Sequence, residues 1–143
     1  MVSKGDFFKE LMVGQKYEKK AQVALIRYLN TDLNVVEERN DNLYDFQLSN
    51  GKTYEVKFDK MCSKTGNLFI ETVSRGKASG LTVSVADYYI FCIGEEDTKF
   101  YMIETDKLRE MIKNKEYMSL YDNYSKTASI FKLHTVADKS IQF

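Results

Sequence analysis

The chain has 143 residues, and its 21 basic and 21 acidic side chains give a formal net charge of zero. Because 43% of the residues are apolar and 13% are aromatic, the composition excludes an intrinsically disordered chain and predicts one domain over residues 1–143. No apolar run approaches the ~20 residues of a membrane span, and the charged N-terminus lacks the apolar stretch of a signal peptide, so we expect a soluble cytoplasmic protein. The two cysteines, Cys62 and Cys92, form neither a disulfide framework nor a zinc site.

The first predicted element is a helix that Asp6 can cap and that runs to about Leu29, either continuous or broken at Gly14. Glu18 falls inside the apolar stripe of this helix, which consists of Phe7, Leu11, Gly14, Ala21, Leu25 and Tyr28. A carboxylate on a buried face needs a partner, because leaving it unpaired is expensive. Two explanations stay open for Glu18: a buried ion pair with a lysine, or a metal ion at the edge of a sheet.

A strand is predicted over residues 33–38, and a hairpin follows over residues 44–57. Two turns would close the hairpin. A two-residue turn at Asn50-Gly51 would mix apolar and charged side chains on both faces. A three-residue loop, Ser49-Asn50-Gly51, with Gly51 in the left-handed region, sets Asp45 opposite Glu55.

The three-residue loop is favoured because it separates the two faces of the hairpin. In that register, the apolar face carries Tyr44, Phe46, Leu48, Tyr54, Val56 and Phe58. The polar face carries Asp45, Gln47, Thr53, Glu55 and Lys57. Two carboxylates and a lysine on one face are the smallest set of side chains that can hold a divalent metal ion against a phosphate.

Asp45 followed by Glu55-Val56-Lys57 resembles the signature of the PD-(D/E)XK nuclease superfamily, an Asp on one strand and a Glu-x-Lys on the next. Members commonly carry a Glu on a preceding helix, and Glu18 fits that place. The downstream run that contains GNLFIE and ADYYIF is similar to small phage-type members. The resemblance implies a restriction-endonuclease-like α/β or α+β fold, in which helices flank a mixed central sheet.

Several elements are predicted after the hairpin. Residues 67–73 form a strand, where Glu71 is either a fourth carboxylate of the site or an exposed residue, and residues 74–80 form a loop. A short helix over residues 81–86 would place Asp87 as a cap before the strand Tyr88–Ile93. Residues 99–103 form a strand, Thr105 caps a helix over residues 106–114, and residues 129–135 return as a last strand that includes His134, taken as structural.

Charge is unevenly distributed along the neutral chain. Residues 52–77 contain six basic and three acidic side chains, and residues 95–122 contain eight acidic and five basic ones. A basic face on a neutral protein binds a polyanion through its local potential. The predicted DNA contacts are Lys60, Lys64, Arg75, Lys77 and Ser79, and for any single lysine an ordinary solvated surface role stays open.

The chemistry expected of this set is phosphodiester hydrolysis. Asp45 and Glu55 would bind Mg²⁺ directly, with the Val56 carbonyl as a third ligand, and Mn²⁺ would substitute. Lys57 would orient the attacking water and stabilise developing charge. Glu18 would allow a second metal ion.

We therefore expect a Mg²⁺-dependent DNA endonuclease of phage recombination, repair or DNA degradation, acting in the host cytoplasm if the chain is viral. Cleavage of Holliday junctions by a homodimer is one specific form of this activity. The alternative is a non-catalytic nucleic-acid-binding or interaction protein that retains the nuclease fold. The sequence contains no G-x-S-x-G elbow, no phosphate-binding P-loop and no G-x-G-x-x-G fingerprint, which excludes those enzyme classes.

Overall fold

A long helix covers one face of a six-stranded mixed sheet, and a four-stranded sheet covers the other face. The computed structural model describes residues 4–29, 32–39, 41, 43–123 and 125–143. Its helices are α1 (Lys4–Leu29), α2 (Cys62–Thr65), α3 (Thr105–Lys113) and α4 (Leu133–Ala137), with a 3-10 turn at Gly80–Thr82. Its strands are β1 (Val35–Glu38), β2 (Phe46–Leu48), β3 (Thr53–Phe58), β4 (Asn67–Ser74), β5 (Lys77–Ala78), β6 (Tyr88–Ile93), β7 (Lys99–Glu104), β8 (Ser119–Asp122), β9 (Lys126–Lys132) and β10 (Ile141–Gln142).

The strand order of the six-stranded sheet, called the central sheet below, is β1-β2-β3-β6-β7-β10. The pair β3 and β6 is parallel, and the other neighbours are antiparallel. The four-stranded sheet, called the outer sheet, is antiparallel with the order β5-β4-β9-β8. The predicted α+β class with a mixed sheet is confirmed. The outer sheet was not predicted, and it occupies a face of the central sheet where helices were expected.

Two apolar cores hold these layers together. The first lies between α1 and the central sheet and includes Ala21, Leu25, Phe46, Leu48, Tyr54 and Ile90. The second lies between the two sheets and α3 and includes Leu68, Ile70, Tyr89, Phe91, Leu108 and Phe131. Because side chains alternate along a strand, the apolar face of the hairpin turns toward α1 and its polar face turns toward the outer sheet. Cys62 and Cys92 are buried free cysteines.

The loop between β2 and β3 follows the favoured prediction. Phe46 pairs with Tyr54, and the Leu48 N–H donates to the Lys52 carbonyl at 3.0 Å. Three residues therefore form the loop, and Gly51 has a φ of +85°. This is the left-handed conformation that only glycine adopts at little cost, so the position of this glycine determines the turn and the turn determines the register.

Helix α1 differs from its prediction in its buried face. It is continuous through Gly14, which decides between the two alternatives. Leu11 and Tyr28 are exposed, and Tyr17 and Gln22 are buried in their place. The ring of Tyr17 stacks on Phe58 with centroids 3.8 Å apart, which fixes the helix against β3. The side chain of Phe7 lies outside the described set.

Other boundaries also shift. The first strand begins at Val35, two residues later than predicted, and the predicted loop after β4 contains β5. The predicted helix at residues 81–86 shrinks to the 3-10 turn, and Asp87 is not a helix cap, because its carboxylate accepts hydrogen bonds from the N–H and hydroxyl of Thr53. Helix α3 starts at Thr105 itself. Among the described residues the buried Thr105 hydroxyl has no hydrogen-bond partner, so it does not cap the helix as predicted.

The C-terminal region is the least accurately predicted part. The last long strand, β9, covers Lys126–Lys132 and ends before His134. His134 lies exposed in helix α4, so its predicted place in a strand is wrong. Within the described residues, no helix is both long enough and apolar enough to cross a membrane.

Candidate active site

The carboxyls of Asp45 and Glu55 meet on the polar face of the hairpin. Regular pairing of β2 with β3 ends at Phe46 and Tyr54, and the next residue on each strand is one of the two acids. The charge of Asp45 raises the pKa of Glu55, and both residues line one pocket. The side chains therefore share one side of the sheet, as the three-residue loop predicts.

Asp45 is held by the backbone of the opposite strand. Its N–H donates to the Tyr54 carbonyl at 2.9 Å, and its Oδ2 accepts the Val56 N–H at 2.7 Å. The carboxylate thus takes the place of a backbone acceptor where β2 leaves β3. This hydrogen bond satisfies a peptide group that the end of the ladder would otherwise leave unpaired, and it orients the carboxylate toward Glu55.

Glu55 is a buried acid in an unfavourable electrostatic environment. Its residue is only 7% exposed. Burial raises the pKa of Glu55 to about 8, and the charge of Asp45 adds to that rise. The Lys57 ammonium opposes the rise in this pKa, with its Nζ 3.8 Å from the Glu55 Oε2. Lys57 is therefore on the same face as Glu55, in the place where the sequence predicts it.

Glu18 reaches the same pocket from α1. Burial raises the pKa of Glu18 to about 7, with further upward contributions from Asp45 and then Glu38. Lys19 lowers this pKa, but its own salt bridge is to Glu38. In the described part of the chain Glu18 has no salt bridge, so the ion-pair explanation for this residue receives no support.

These residues line one pocket of about 460 Å³. Five acidic and two basic side chains line it: Glu10, Glu18, Asp41, Asp45 and Glu55, against Arg39 and Lys57. We call it the acidic pocket. With every group ionised, acidic charge outnumbers basic charge, and the arrangement attracts a cation.

Arg39 and Asp41 are pocket residues that the sequence analysis missed. The guanidinium of Arg39 bonds to Asp41 and lies 3.3 Å from the Glu37 carboxylate, and the Tyr44 hydroxyl donates to Glu37 as well. The backbone N–H of Arg39 donates to the backbone carbonyl of Asp45 at 2.9 Å. The pairing of β1 with β2 therefore brings Arg39 to the site. The polar run between the first strand and the hairpin was the available signal, but the pairing of β1 was not predictable from it.

Glu71 and Ser79 lie elsewhere. The Ser79 hydroxyl donates to Glu71 at 2.9 Å, and the Lys126 ammonium lies 3.7 Å from the same carboxylate. Glu71 is on the outer sheet and does not line the acidic pocket. The structure therefore gives both residues partners within the protein.

The predicted DNA contacts occupy two separate regions. Lys60 is exposed just before α2, and Lys64 is exposed within α2. Arg75 and Lys77 are exposed at the turn between β4 and β5, and neither lines the acidic pocket. Their contact with DNA stays a prediction.

Within the described residues, no group of three or more His, Cys, Asp or Glu side chains is arranged to hold a metal ion. The sequence matches no protein-family model and no curated protein.

Proposed function

We propose that this protein is a Mg²⁺-dependent endonuclease that hydrolyses phosphodiester bonds of DNA in the cytoplasm. One observation carries the proposal: Asp45 and Glu55 line the same pocket, and the Lys57 ammonium lies 3.8 Å from Glu55 on the same face. The resemblance of these residues to the PD-(D/E)XK signature supports it. Recombination, repair or degradation of phage DNA are the processes in which we place this activity.

The donor set of the acidic pocket fits a hard divalent cation. Mg²⁺ prefers oxygen ligands, and proteins commonly bind it through one or two carboxylates while it keeps several waters. Asp45 and Glu55 would hold the ion, together with the Val56 carbonyl, and Mn²⁺ would substitute. Burial, and then the charge of Asp45, raise the pKa of Glu55, and a bound cation would favour the ionised form of this carboxyl.

The ion would supply positive charge against the phosphate and lower the pKa of water. The residues of the chain carry the remaining steps. Asp45, fixed by the Val56 N–H, would hold the ion beside Glu55. Lys57 donates hydrogen bonds to the attacking water or to a phosphate oxygen, and its charge favours the transition state more than the ground state. Glu18, with a pKa near neutrality, accepts or returns a proton at the edge of the pocket.

The test is cleavage of supercoiled, linear, single-stranded and four-way-junction DNA, each with Mg²⁺, Mn²⁺ or EDTA. We expect cleavage with either metal and none in EDTA. Glu55→Gln is the inactive control, because it keeps the shape of the side chain and removes its charge. Preferred cutting of the junction by a dimer, measured by size-exclusion chromatography, would support a junction resolvase.

Absence of cleavage on every substrate with both metals would refute the nuclease. DNA binding without cleavage would instead indicate the non-catalytic nucleic-acid-binding protein.

A further inference from the structure

A cavity of about 550 Å³ lies between the central and outer sheets, next to the acidic pocket. Lys57 lines both. The volume is in the range of sites that accept small organic groups. A group seated in this cavity would share a lysine with the proposed catalytic acids.

The floor of the cavity continues the face that carries those acids. In the parallel pairing of β3 with β6, Glu55 is opposite Tyr89 and Lys57 is opposite Phe91. Paired residues on neighbouring strands project to the same side, about 4.8 Å apart. Both aromatic residues are buried, and their ring centroids lie 5.8 Å apart. This face of the central sheet therefore carries charged side chains on β3 and aromatic side chains on the neighbouring strand β6.

The mouth of the cavity combines exposed apolar and cationic side chains. Phe69 is 39% exposed and Met61 is 54% exposed, although both line the cavity. Lys60 and Lys126 line it as well, and Lys126 is only partly balanced by Glu71, 3.7 Å away. This combination suits a ligand that has flat apolar faces and a negatively charged backbone.

The remaining acid at the mouth, Asp59, does not oppose such a ligand strongly. Its carboxylate accepts backbone N–H groups of Met61, Cys62 and Phe69 at 2.9 to 3.1 Å. The carboxylate thus faces the peptide groups that hold α2 and β4 together. Its part in the cavity is structural.

We propose that this cavity receives an unstacked base of the DNA strand whose phosphate lies at the acidic pocket, so that the enzyme acts where nucleotides are unpaired. The inference rests on the proposed function. An unpaired base is already available, whereas a paired base must be extruded at a cost of a few kcal/mol. Phe69 supplies the stacking surface at the mouth, and the lysines contact the adjoining phosphates.

The test measures binding of a fluorescent single strand and of a duplex of the same sequence. All variants carry Glu55→Gln, so that no cleavage occurs during the measurement. Phe69→Ala is compared with Tyr121→Ala. The two rings contact each other with centroids 5.3 Å apart, but Tyr121 does not line the cavity. Both variants lose the same ring pair, and only Phe69→Ala loses the stacking surface.

We expect tighter binding of the single strand than of the duplex. Phe69→Ala should weaken single-strand binding about tenfold, as expected for the loss of one stacked base. It should leave duplex binding nearly unchanged, and Tyr121→Ala should leave both unchanged. Equal effects of the two substitutions, or tighter binding of the duplex, would overturn the inference. Competition by dTMP alone as strong as that by the strand would also overturn it, since the cavity would then be a site for free nucleotides.

The test of the cavity and the test of the nuclease can fail independently of each other. Cleavage by the unmodified protein tests the nuclease, and the comparison of Phe69→Ala with Tyr121→Ala tests the cavity. A protein that cleaves DNA but shows no effect of Phe69→Ala retains the first proposal and loses the second.

Discussion

Glu55→Gln should change how stability depends on pH in a defined direction. The pKa of Glu55 rises from 4.5 to about 8 on folding, so the folded state favours the protonated acid. Without metal, the stability linked to this group is fully present below about pH 4.5 and is lost as the pH rises toward about 8. The amide introduced by Glu55→Gln carries no charge at any pH, so the variant should not show this loss.

The magnitude follows from the size of the shift. Between about pH 5.5 and about pH 8, the wild-type protein in EDTA should lose on the order of 2 to 3 kcal/mol through Glu55. For a domain of this size, 1 kcal/mol corresponds to roughly 3 °C in Tm. The fall in Tm between these pH values should therefore be about 6 to 9 °C larger for the wild type than for Glu55→Gln.

The assay is thermal unfolding in EDTA and in Mg²⁺ at both pH values, with Glu96→Gln as control. Glu96 is exposed, so its variant should keep the wild-type dependence. Mg²⁺ should raise the Tm of the wild type most at high pH, because the ion competes with the proton at Glu55. Full pH dependence in Glu55→Gln, or stabilisation of this variant by Mg²⁺ equal to that of the wild type, would contradict the role given to Glu55.

Three further predictions concern single residues. Lys57→Ala should lower the cleavage rate about 100-fold or more while Mg²⁺ still raises the Tm, since the lysine acts on the transition state; a loss confined to metal affinity would contradict this role. Glu18→Gln should impair cleavage more than stability, measured as initial rate beside Tm, whereas activity that falls only with the folded fraction would make Glu18 structural. Gly80→Ala should destabilise by about 3 kcal/mol or more in urea unfolding, because an added Cβ would lie 2.3 Å from the Glu71 carbonyl oxygen. Gly66→Ala, also at positive φ but in open space, should cost only about 1 kcal/mol, and equal losses would mean that the close contact is unimportant.

The hairpin was predictable because its information is local. Alternation of apolar and polar residues fixes which face each side chain takes, and Gly51 at φ +85° fixes the loop length. Those two signals placed Asp45, Glu55 and Lys57 together without any knowledge of the rest of the chain. Glu18 was predictable because an acid inside an apolar stripe needs an explanation.

The outer sheet was not predictable, because its pairing is distant in sequence. Strand β4 pairs with β9, so that Leu68 is opposite Phe131 and Glu71 is opposite Ala128. No turn signal links two segments so far apart in sequence. Two strands of the central sheet, β6 and β7, lie between them in the chain. Residues of both strands line the cavity beside the acidic pocket, and sequence patterns alone gave no sign of it. Arg39 was missed for a different reason: its place depends on the register of β1 with β2, and no turn signal in the sequence fixed that register.

The two basic residues of the acidic pocket differ in how far neighbouring acids balance their charge. Arg39 bonds to Asp41 and lies near Glu37, so these two acids largely balance its charge. Lys57, whose side chain is 48% exposed, is then the main counter-charge near the buried carboxyl of Glu55. One ammonium at 3.8 Å lowers the pKa of Glu55 but leaves it far above its ordinary value. Burial is the largest cause of this rise, followed by the charge of Asp45. A bound divalent ion would favour the ionised carboxyl and leave Lys57 to contact the substrate, as the proposed catalysis requires.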